Sequence, residues 1–529
     1  MTTAHDLGQP FMTPLAVADP GGLIQSVDWV AVAPPLIAAL AALAVLVADL
    51  FLPEARKRLL GWLSAAGLLA ALAALIPLVG DARSTFCFTG PAGGCSYTAD
   101  HFALAFQLLA LGGALLTVLL SLHTVDGAAP NSGSAAGLPG GEYWFLLLSS
   151  ACGAALLPAA RDLATLVIAL EVATLPGFAL VGLRRDGRGA ESALKFFLSS
   201  VTATAVMLLG VSFVYAAAGT VQLQGIADGL AHAPGQLKPL AEAGAVLTLV
   251  GFAFKTAAVP FHFWVPDTYV GAPLPVAGYL SVVGKAAGLS GLALVTTLAF
   301  RPYGHTWGLV LAVLAALTMT AGNTAALRQR ADTPHGAVRL LAWSSVGQAG
   351  YLLVPLAAAG YADSAEPLGA TVAYALIYGL VNLGAFGVVA LVGGSGRLDG
   401  FRGLAGRNRW AAFALAFFLL CLAGLPPGVV GLFGKVVVFR SAVDAGLGWL
   451  AVVMAVNVVI ALAYYLKWTA LLFAPSAGEA GEAGEAGEPA ATRRTPAGLG
   501  AALGLAAAGA AVLSVAPQLV LRVVSGSLF

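Results

Sequence analysis

Charge is what this chain has least of. Only 10% of its 529 residues are Asp, Glu, Lys or Arg, against roughly 25% in soluble globular proteins. With 59% hydrophobic residues and a mean hydropathy of +0.89, that shortage excludes a soluble domain and points to an integral membrane protein. A net charge of +1 offers no field for holding nucleic acid or acidic substrates. Cysteine is scarce too, with four residues. Cys87 and Cys95 share one predicted external loop, where a disulfide is allowed but not required; Cys152 and Cys421 fall in apolar runs and read as small core residues. No cysteine spacing fits an iron-sulfur cluster or a zinc site. The 65 glycines include no phosphate-cradling loop between a strand and a helix, so they are read as close-packing positions in a helical bundle. The first 27 residues hold no Lys or Arg and so lack the basic region of a secretory signal peptide. The first hydrophobic helix is expected to direct insertion and to stay.

What the chain has in abundance is apolar runs of about 20 residues, the length that crosses the hydrocarbon core. Fourteen are expected as helices, starting near Asp28, Arg58, His101, Glu142, Asp162, Ala190, Ala241, Pro273, Thr306, Pro334, Pro367, Trp410, Gly446 and Leu499. Basic residues favour cytoplasmic loops. Fifteen of the 26 fall in alternate loops, including Arg56, Arg184, Arg185, Arg328, Arg402 and Arg493, while the opposite side holds six: Arg83, Arg161, Lys238, Arg301, Arg440 and Arg522. The Arg-rich side is therefore expected to be cytoplasmic, with both termini outside. Between the last two helices, the Glu-Ala-Gly repeat from Gly478 to Glu488 cannot bury a core and reads as a solvated linker.

Fifteen plus six leaves five basic residues. Lys467 is near a cytoplasmic helix end and is expected to snorkel. The other four, Lys195, Lys255, Lys285 and Lys435, lie inside apolar stretches, where an ammonium costs several kcal/mol and marks an ion or proton pathway. At about 1.5 Å per helical residue, Lys255 and Lys285 come out near mid-membrane and Glu171 at the same level; Lys435 lies further out and Lys195 is shallow. Glu171 is the one carboxylate placed deep in a helix. Beside a buried ammonium it stabilises both charged forms, whereas desolvation opposes them, so making and breaking the pair would move a proton. A permanent ion pair joining two helices is the plainer alternative. His262 can relay protons or serve as a structural hydrogen-bonding group. The polar stripe Tyr374, Tyr378 and Asn382 and the cluster Ser344, Ser345 and Gln348 carry either water between lysines or interhelical bonds; Asp267 is either part of the site or a cap.

Two runs are interrupted. Pro260 and Pro266 break the seventh, and Gly424-Leu425-Pro426-Pro427-Gly428 breaks the twelfth. Proline removes backbone donors and frees carbonyls, and a break inside hydrocarbon survives only where protein or water satisfies it. A polar cavity beside a lysine is expected at each. The breaks lie five helices apart, an odd number, so two units would run in opposite senses, the pattern of inverted repeats.

The run from Lys255, Lys-Thr-Ala-Ala-Val-Pro-Phe-His-Phe-Trp-Val-Pro-Asp-Thr-Tyr-Val-Gly-Ala-Pro-Leu-Pro, continued by Leu280-Ser-Val-Val-Gly-Lys285-Ala-Ala-Gly288, resembles the antiporter-like subunits of respiratory complex I. Leu341-Ala-Trp-Ser-Ser-Val-Gly-Gln-Ala-Gly-Tyr and Gly424-Leu-Pro-Pro followed by Phe433-Gly-Lys435 strengthen the likeness, which spans helices four to thirteen and is greatest to the subunit N type. Lys435, where the M type would carry a glutamate, and the lack of a long lateral helix after helix fourteen separate it from the M and L types. The resemblance implies an all-α membrane protein of fourteen helices with inverted five-helix repeats, discontinuous helices 7 and 12, and a proton path through Glu171, Lys255, Lys285 and Lys435, with Lys195 and His262 as candidate relays.

The units expected are 1–140 (tail and helices 1–3), 141–300 (first repeat), 301–473 (second repeat), 474–498 (acidic loop) and 499–529 (helix 14). The activity implied is proton translocation in the bacterial plasma membrane as a subunit of an NADH:quinone oxidoreductase. NADH, FMN, iron-sulfur clusters and quinone would sit in partner subunits, with none in this chain. Subunits of the M, K, J and L types and the lipid bilayer would be its neighbours. A subunit of a multisubunit cation/proton antiporter is the alternative.

Overall fold

A segment crossing hydrocarbon must satisfy its own backbone hydrogen bonds, which makes the helix its natural form. The computed structural model describes residues 26–88, 94–126, 138–184, 186–362, 364–393, 396–475, 495–525 and 528. The Glu-Ala-Gly repeat, Arg185 and Arg493 lie outside the described residues. The apolar runs form α1 (Trp29–Phe51), α2 (Arg58–Ala73), α3 (His101–Asp126), α4 (Gly140–Leu156), α5 (Leu163–Gly182) and α6 (Gly187–Ala218). They continue as α7 in two pieces (α7a Lys238–Lys255, α7b Trp264–Gly271), α8 (Leu274–Ala299), α9 (Gly304–Leu327), α10 (Gly336–Ala358) and α11 (Glu366–Val392). Last come α12 in two pieces (α12a Arg409–Ala423, α12b Val429–Asp444), α13 (Gly448–Phe473) and α14 (Ala497–Val515). Among the described residues twelve are long and apolar enough to cross a membrane, and α7 and α12 are the two that break. Each begins within three residues of its expected start.

Local chemistry fixes several of those starts. Asp28 caps α1 by accepting from the amides of Val30 and Ala31, Asp162 caps α5 through Thr165, and Asn408 caps α12a through Ala411, each satisfying donors that the first helical turn leaves free. Between α6 and α7a, Leu223–Ala231 forms a short amphipathic helix that buries Leu223, Ile226 and Leu230. Before α3, strands β1 (Arg83–Phe88) and β2 (Gly94–Ala99) pair antiparallel with Cys87 opposite Cys95, and the two sulfurs are bonded. This hairpin is tied to the bundle by Arg83 to Asp28 at 2.8 Å and by the pair Arg161 and Asp100.

The bundle turns its polar groups inward. The most apolar window of α10 is 94% buried and that of α8 83%, whereas α6 and α14 bury 28%, so α8 and α10 form the centre and the others present apolar faces to lipid. Close approach rests on small residues: a Cβ on Gly322 of α9 would lie 2.3 Å from the amide of Gly347 on α10.

Both breaks are satisfied by protein groups. At the first, Val259 N donates to Thr318 Oγ1 at 2.9 Å and the Trp264 indole to the carbonyl of Phe254 at 3.1 Å. At the second, a Cβ on Gly431 would overlap the Cys421 carbonyl, so only glycine lets α12b pass the end of α12a. The cavities beside the breaks are lined mainly by apolar residues, Ala253, Pro260, Phe261 and Trp307 at one and Leu425, Leu432, Val436 and Met454 at the other. The polar cavities expected there are replaced by side-chain partners: the Thr318 hydroxyl accepts from a loose amide at the first break, and the Lys435 ammonium donates to two loose carbonyls at the second.

Candidate functional site

Lys255 is the last residue of α7a, so its side chain leaves the helix where the backbone turns away. Its ammonium stands 2.8 Å from Ser200 Oγ, 3.3 Å from Thr174 Oγ1 and 3.5 Å from Glu171 Oε1. Glu171 in turn accepts from Thr204 at 2.9 Å and from Thr174 at 3.4 Å. The expected pair is thus brought together as an ion pair surrounded by hydroxyls. Glu171 is less enclosed than its place in an apolar helix implied: its side chain is 23% exposed, on the flank that also exposes Ile168 and Leu175. Ser200, Thr204 and Thr174 stand out little in the sequence, because a hydroxyl in a membrane helix ordinarily bonds back to its own helix. The i, i+4 spacing of Ser200 and Thr204 was the only signal. Gly288 of α8 makes the site compact, since a Cβ there would lie 2.8 Å from Lys255 Cβ.

Lys285 follows a wide, π-type turn at Leu280–Gly284 in α8, a local form frequent at functional sites. Only 2% exposed, it donates to the carbonyl of Ser345 at 2.7 Å and to Ser345 Oγ at 2.6 Å. No carboxylate among the described residues reaches it. Lys435, equally enclosed, turns back from α12b to the carbonyls of Leu422 and Ala423 at 2.7 and 2.8 Å. Those are the last carbonyls of α12a, the negative end of a helix dipole. The ring of Tyr351 lies 5.6 Å from the same ammonium.

One face of α10 joins these two lysines. Ser344 meets the hydroxyl of Tyr465, Gln348 donates to that hydroxyl at 3.3 Å, and Tyr374 donates to Gln348 Oε1 at 2.5 Å. A small cavity bordered by Gln348, Tyr374, Leu422 and Gly431 continues to the α12 break. Of the stripe on α11, Tyr374 belongs to this strip. Tyr378 borders the same cavity and donates to Ser281 O of α8 at 3.2 Å, and Asn382 binds α8 alone, at Ser281 Oγ (2.7 Å).

His262 lies half-buried in the α7 break, its ring 5.4 Å from that of Trp343 and within electrostatic reach of Lys285. Its Nδ1 is enclosed with no hydrogen-bond partner among the described residues. Lys195 stands apart from the row. Its side chain is 53% exposed and pairs with Glu191 at 2.7 Å and Asp267 at 3.3 Å. Asp267 also meets Arg339 of α10 at 3.4 Å, so it bridges two helices rather than capping one. No cluster of His, Cys, Asp and Glu suited to a metal occurs among the described residues.

Residues 160–461 match the family described as NADH:quinone oxidoreductase/Mrp antiporter, transmembrane. NADH-quinone oxidoreductase subunit N 2 of Streptomyces griseus is 63% identical over 100% of this chain and 99% of its own length. Subunit N of Salinispora tropica is 44% identical over 85% of this chain and 86% of its own. Among solved structures, a chain of respiratory complex I from Thermus thermophilus is 32% identical and superposes with a TM-score of 0.73 over 93% of this chain and 100% of that one. A chain of the Mrp complex from Dietzia shares the fold at 21% identity, with a TM-score of 0.77 over 93% of this chain and 96% of that one. At such identity over its whole length, the chain belongs to the family of NADH-quinone oxidoreductase subunit N, an antiporter-like membrane subunit of respiratory complex I.

Proposed function

We propose that this subunit translocates protons across the bacterial plasma membrane along a row made of Glu171, Lys255, Lys285 and Lys435, driven by quinone reduction in partner subunits. One observation carries the reading: Lys285 and Lys435 are buried against carbonyls and hydroxyls, with no carboxylate of the described residues beside them. An ammonium desolvated in that way destabilises a bundle, so its presence calls for a role other than packing. A neutral amine accepts a proton in the same geometry, since the oxygens that receive the ammonium hydrogens are already in place.

In this reading the Arg-rich side is cytoplasmic, both termini are external, and a proton reaches Lys285 from the cytoplasm. It passes to Lys255 and Lys435 through water and the hydroxyls of α10, then leaves outside. Glu171 holds Lys255 charged when close and releases it when drawn off, and His262 and Lys195 are candidate relays. Residues 141–300 and 301–473 act as two inverted five-helix units. Moving one charge against 100 mV costs about 2.3 kcal/mol, less than a hundredfold change in one proton affinity, about 2.7 kcal/mol. NADH, FMN, the iron-sulfur clusters and quinone are held by other subunits of the complex, and the M, K, J and L types are the expected neighbours. A cation/proton antiporter subunit would share the fold, but relatives named as subunit N match at 63% and 44%.

The test is Lys285→Ala in the intact complex in inside-out vesicles. NADH-driven acidification is expected to fall with the complex still assembled. Wild-type acidification by that variant would refute the row.

A further inference from the structure

Between α7a, the end of α8 and α9, on the flank away from the lysine row, lies a cleft of about 620 Å³, the size of a small-ligand site. Its walls are apolar, with Ala245, Leu249, Phe300, Leu311 and Leu314 among them, and Val246 and Val310 at its mouth are 59% and 47% exposed. Inward it ends on Ala253, Pro260 and Phe261, at the α7 break. Its polar residues, Glu242, Tyr303 and Thr306, are gathered at the opposite end, away from the Arg-rich loops.

The depth of the cleft is that of one lipid monolayer. From Glu242 to Ala253 along α7a is about 16 Å at 1.5 Å per residue, and half of the ~30 Å hydrocarbon core is about 15 Å. Its rim has the chemistry of a headgroup layer. Tyr303 is partly exposed there and within electrostatic reach of Glu242, as aromatic residues stand at membrane–water boundaries. The amphipathic helix Leu223–Ala231 packs on the turn Arg301–Tyr303 beside it. Glu242 is exposed and joins no ion pair among the described residues, and the same holds for Lys238, one turn away on α7a, and for Arg301. A carboxylate at the edge of an apolar slot attracts a cation, and the two basic groups attract an anion. A neighbour's transmembrane helix, about 10 Å across, would need the groove to continue past mid-membrane, where Pro260 and Phe261 close it.

We propose that this cleft is a binding site for one phospholipid with a primary ammonium headgroup, of the phosphatidylethanolamine class. One acyl chain fills the slot down to the α7 break, the ammonium meets Glu242, and the phosphate faces Lys238 and Arg301. A zwitterionic headgroup satisfies both signs of charge at the rim, whereas an anionic lipid would leave Glu242 facing a phosphate. The inner end of the chain lies against Ala253 and Phe261, on either side of Lys255 in sequence, so the lipid closes the bilayer side of the break that carries this ammonium. The site stands whether or not Lys255 carries protons.

The test uses the purified, assembled complex reconstituted with a phosphatidylethanolamine that carries a diazirine near the end of one acyl chain. After irradiation the adducts are mapped by peptide mass spectrometry. They are expected to concentrate on residues 249–261 and 310–314, to be suppressed by excess unlabelled phosphatidylethanolamine, and to persist in equal excesses of phosphatidylcholine or phosphatidylglycerol. Glu242→Gln is expected to lower this labelling roughly twofold to fivefold, the scale of one exposed ion pair, with complex yield on native gels unchanged. Adducts spread evenly over the chain's exposed apolar faces would show bulk lipid only and overturn the site. Suppression by phosphatidylglycerol as strong as by phosphatidylethanolamine, or by a quinone and no phospholipid, would overturn the assignment of the occupant. Should Glu242→Gln fail to assemble, the competition on the wild-type complex decides.

Discussion

Replacing Glu171 with glutamine removes the one carboxylate near the buried ammonium groups while keeping its shape and a hydrogen-bonding end. At the observed 3.5 Å and an effective dielectric constant of 20, the attraction to Lys255 is about 5 kcal/mol. Two features reduce that figure. Glu171 is partly open to its surroundings, which screens the pair, and Ser200 and Thr174 remain on the ammonium after the change. Half of the Coulomb figure, about 2.5 kcal/mol, shifts the balance between charged and neutral Lys255 by somewhat less than a hundredfold toward the neutral form. If the charge state of Lys255 gates the path, Glu171→Gln pumps far more slowly per assembled complex. The assay is NADH-driven quenching of a pH-sensitive dye in inside-out vesicles, normalised to complex measured on native gels. Glu171→Asp, which keeps the charge, is expected to retain part of the rate. Reduced assembly with normal pumping per complex would show a permanent structural pair and refute the gating role.

Two further changes probe the same geometry. Ser345→Ala removes the hydroxyl 2.6 Å from Lys285 and leaves the carbonyl at 2.7 Å; losing one hydrogen bond to a charged group is worth about 1–3 kcal/mol, so slower acidification with unchanged complex yield is expected, and an unaltered rate would count against Ser345 as a proton-path contact. Gly288→Val places a side chain where a Cβ already comes within 2.8 Å of Lys255 Cβ, an overpacking cost of about 1–3 kcal/mol. Both complex yield on native gels and pumping should drop, and normal values for both would contradict the close approach of α8 to Lys255.

The architecture was legible because a bilayer imposes a simple length rule: apolar runs of about 20 residues became helices, and Pro260, Pro426 and Pro427 marked the two that break. That Glu171 could meet Lys255 was legible from rise per residue, and the two stand 3.5 Å apart. Azimuth was not. Lys195 faces outward with Glu191 and Asp267, and Glu171 keeps a partly exposed side. The hydroxyl pocket of Ser200, Thr204 and Thr174 depends on which faces of α5 and α6 meet α7a, which only packing decides. The hairpin at Arg83–Ala99 and the helix Leu223–Ala231 were missed because both are shorter than a membrane crossing and carry mixed polarity. At the breaks, the expectation of polar cavities left out Thr318, which reaches the first break from α9, and the return of the Lys435 side chain from α12b to the end of α12a.

Proton passage through the buried lysines, as proposed, can be tested at a single residue. Lys255→Ala addresses it most directly, because that ammonium is the one joined to both Glu171 and the α7 break. The measurement is protons translocated per NADH oxidised by the purified, assembled complex in sealed vesicles. A lower ratio or a stalled turnover is expected in the variant; the wild-type ratio at the wild-type rate would show that protons do not pass through Lys255.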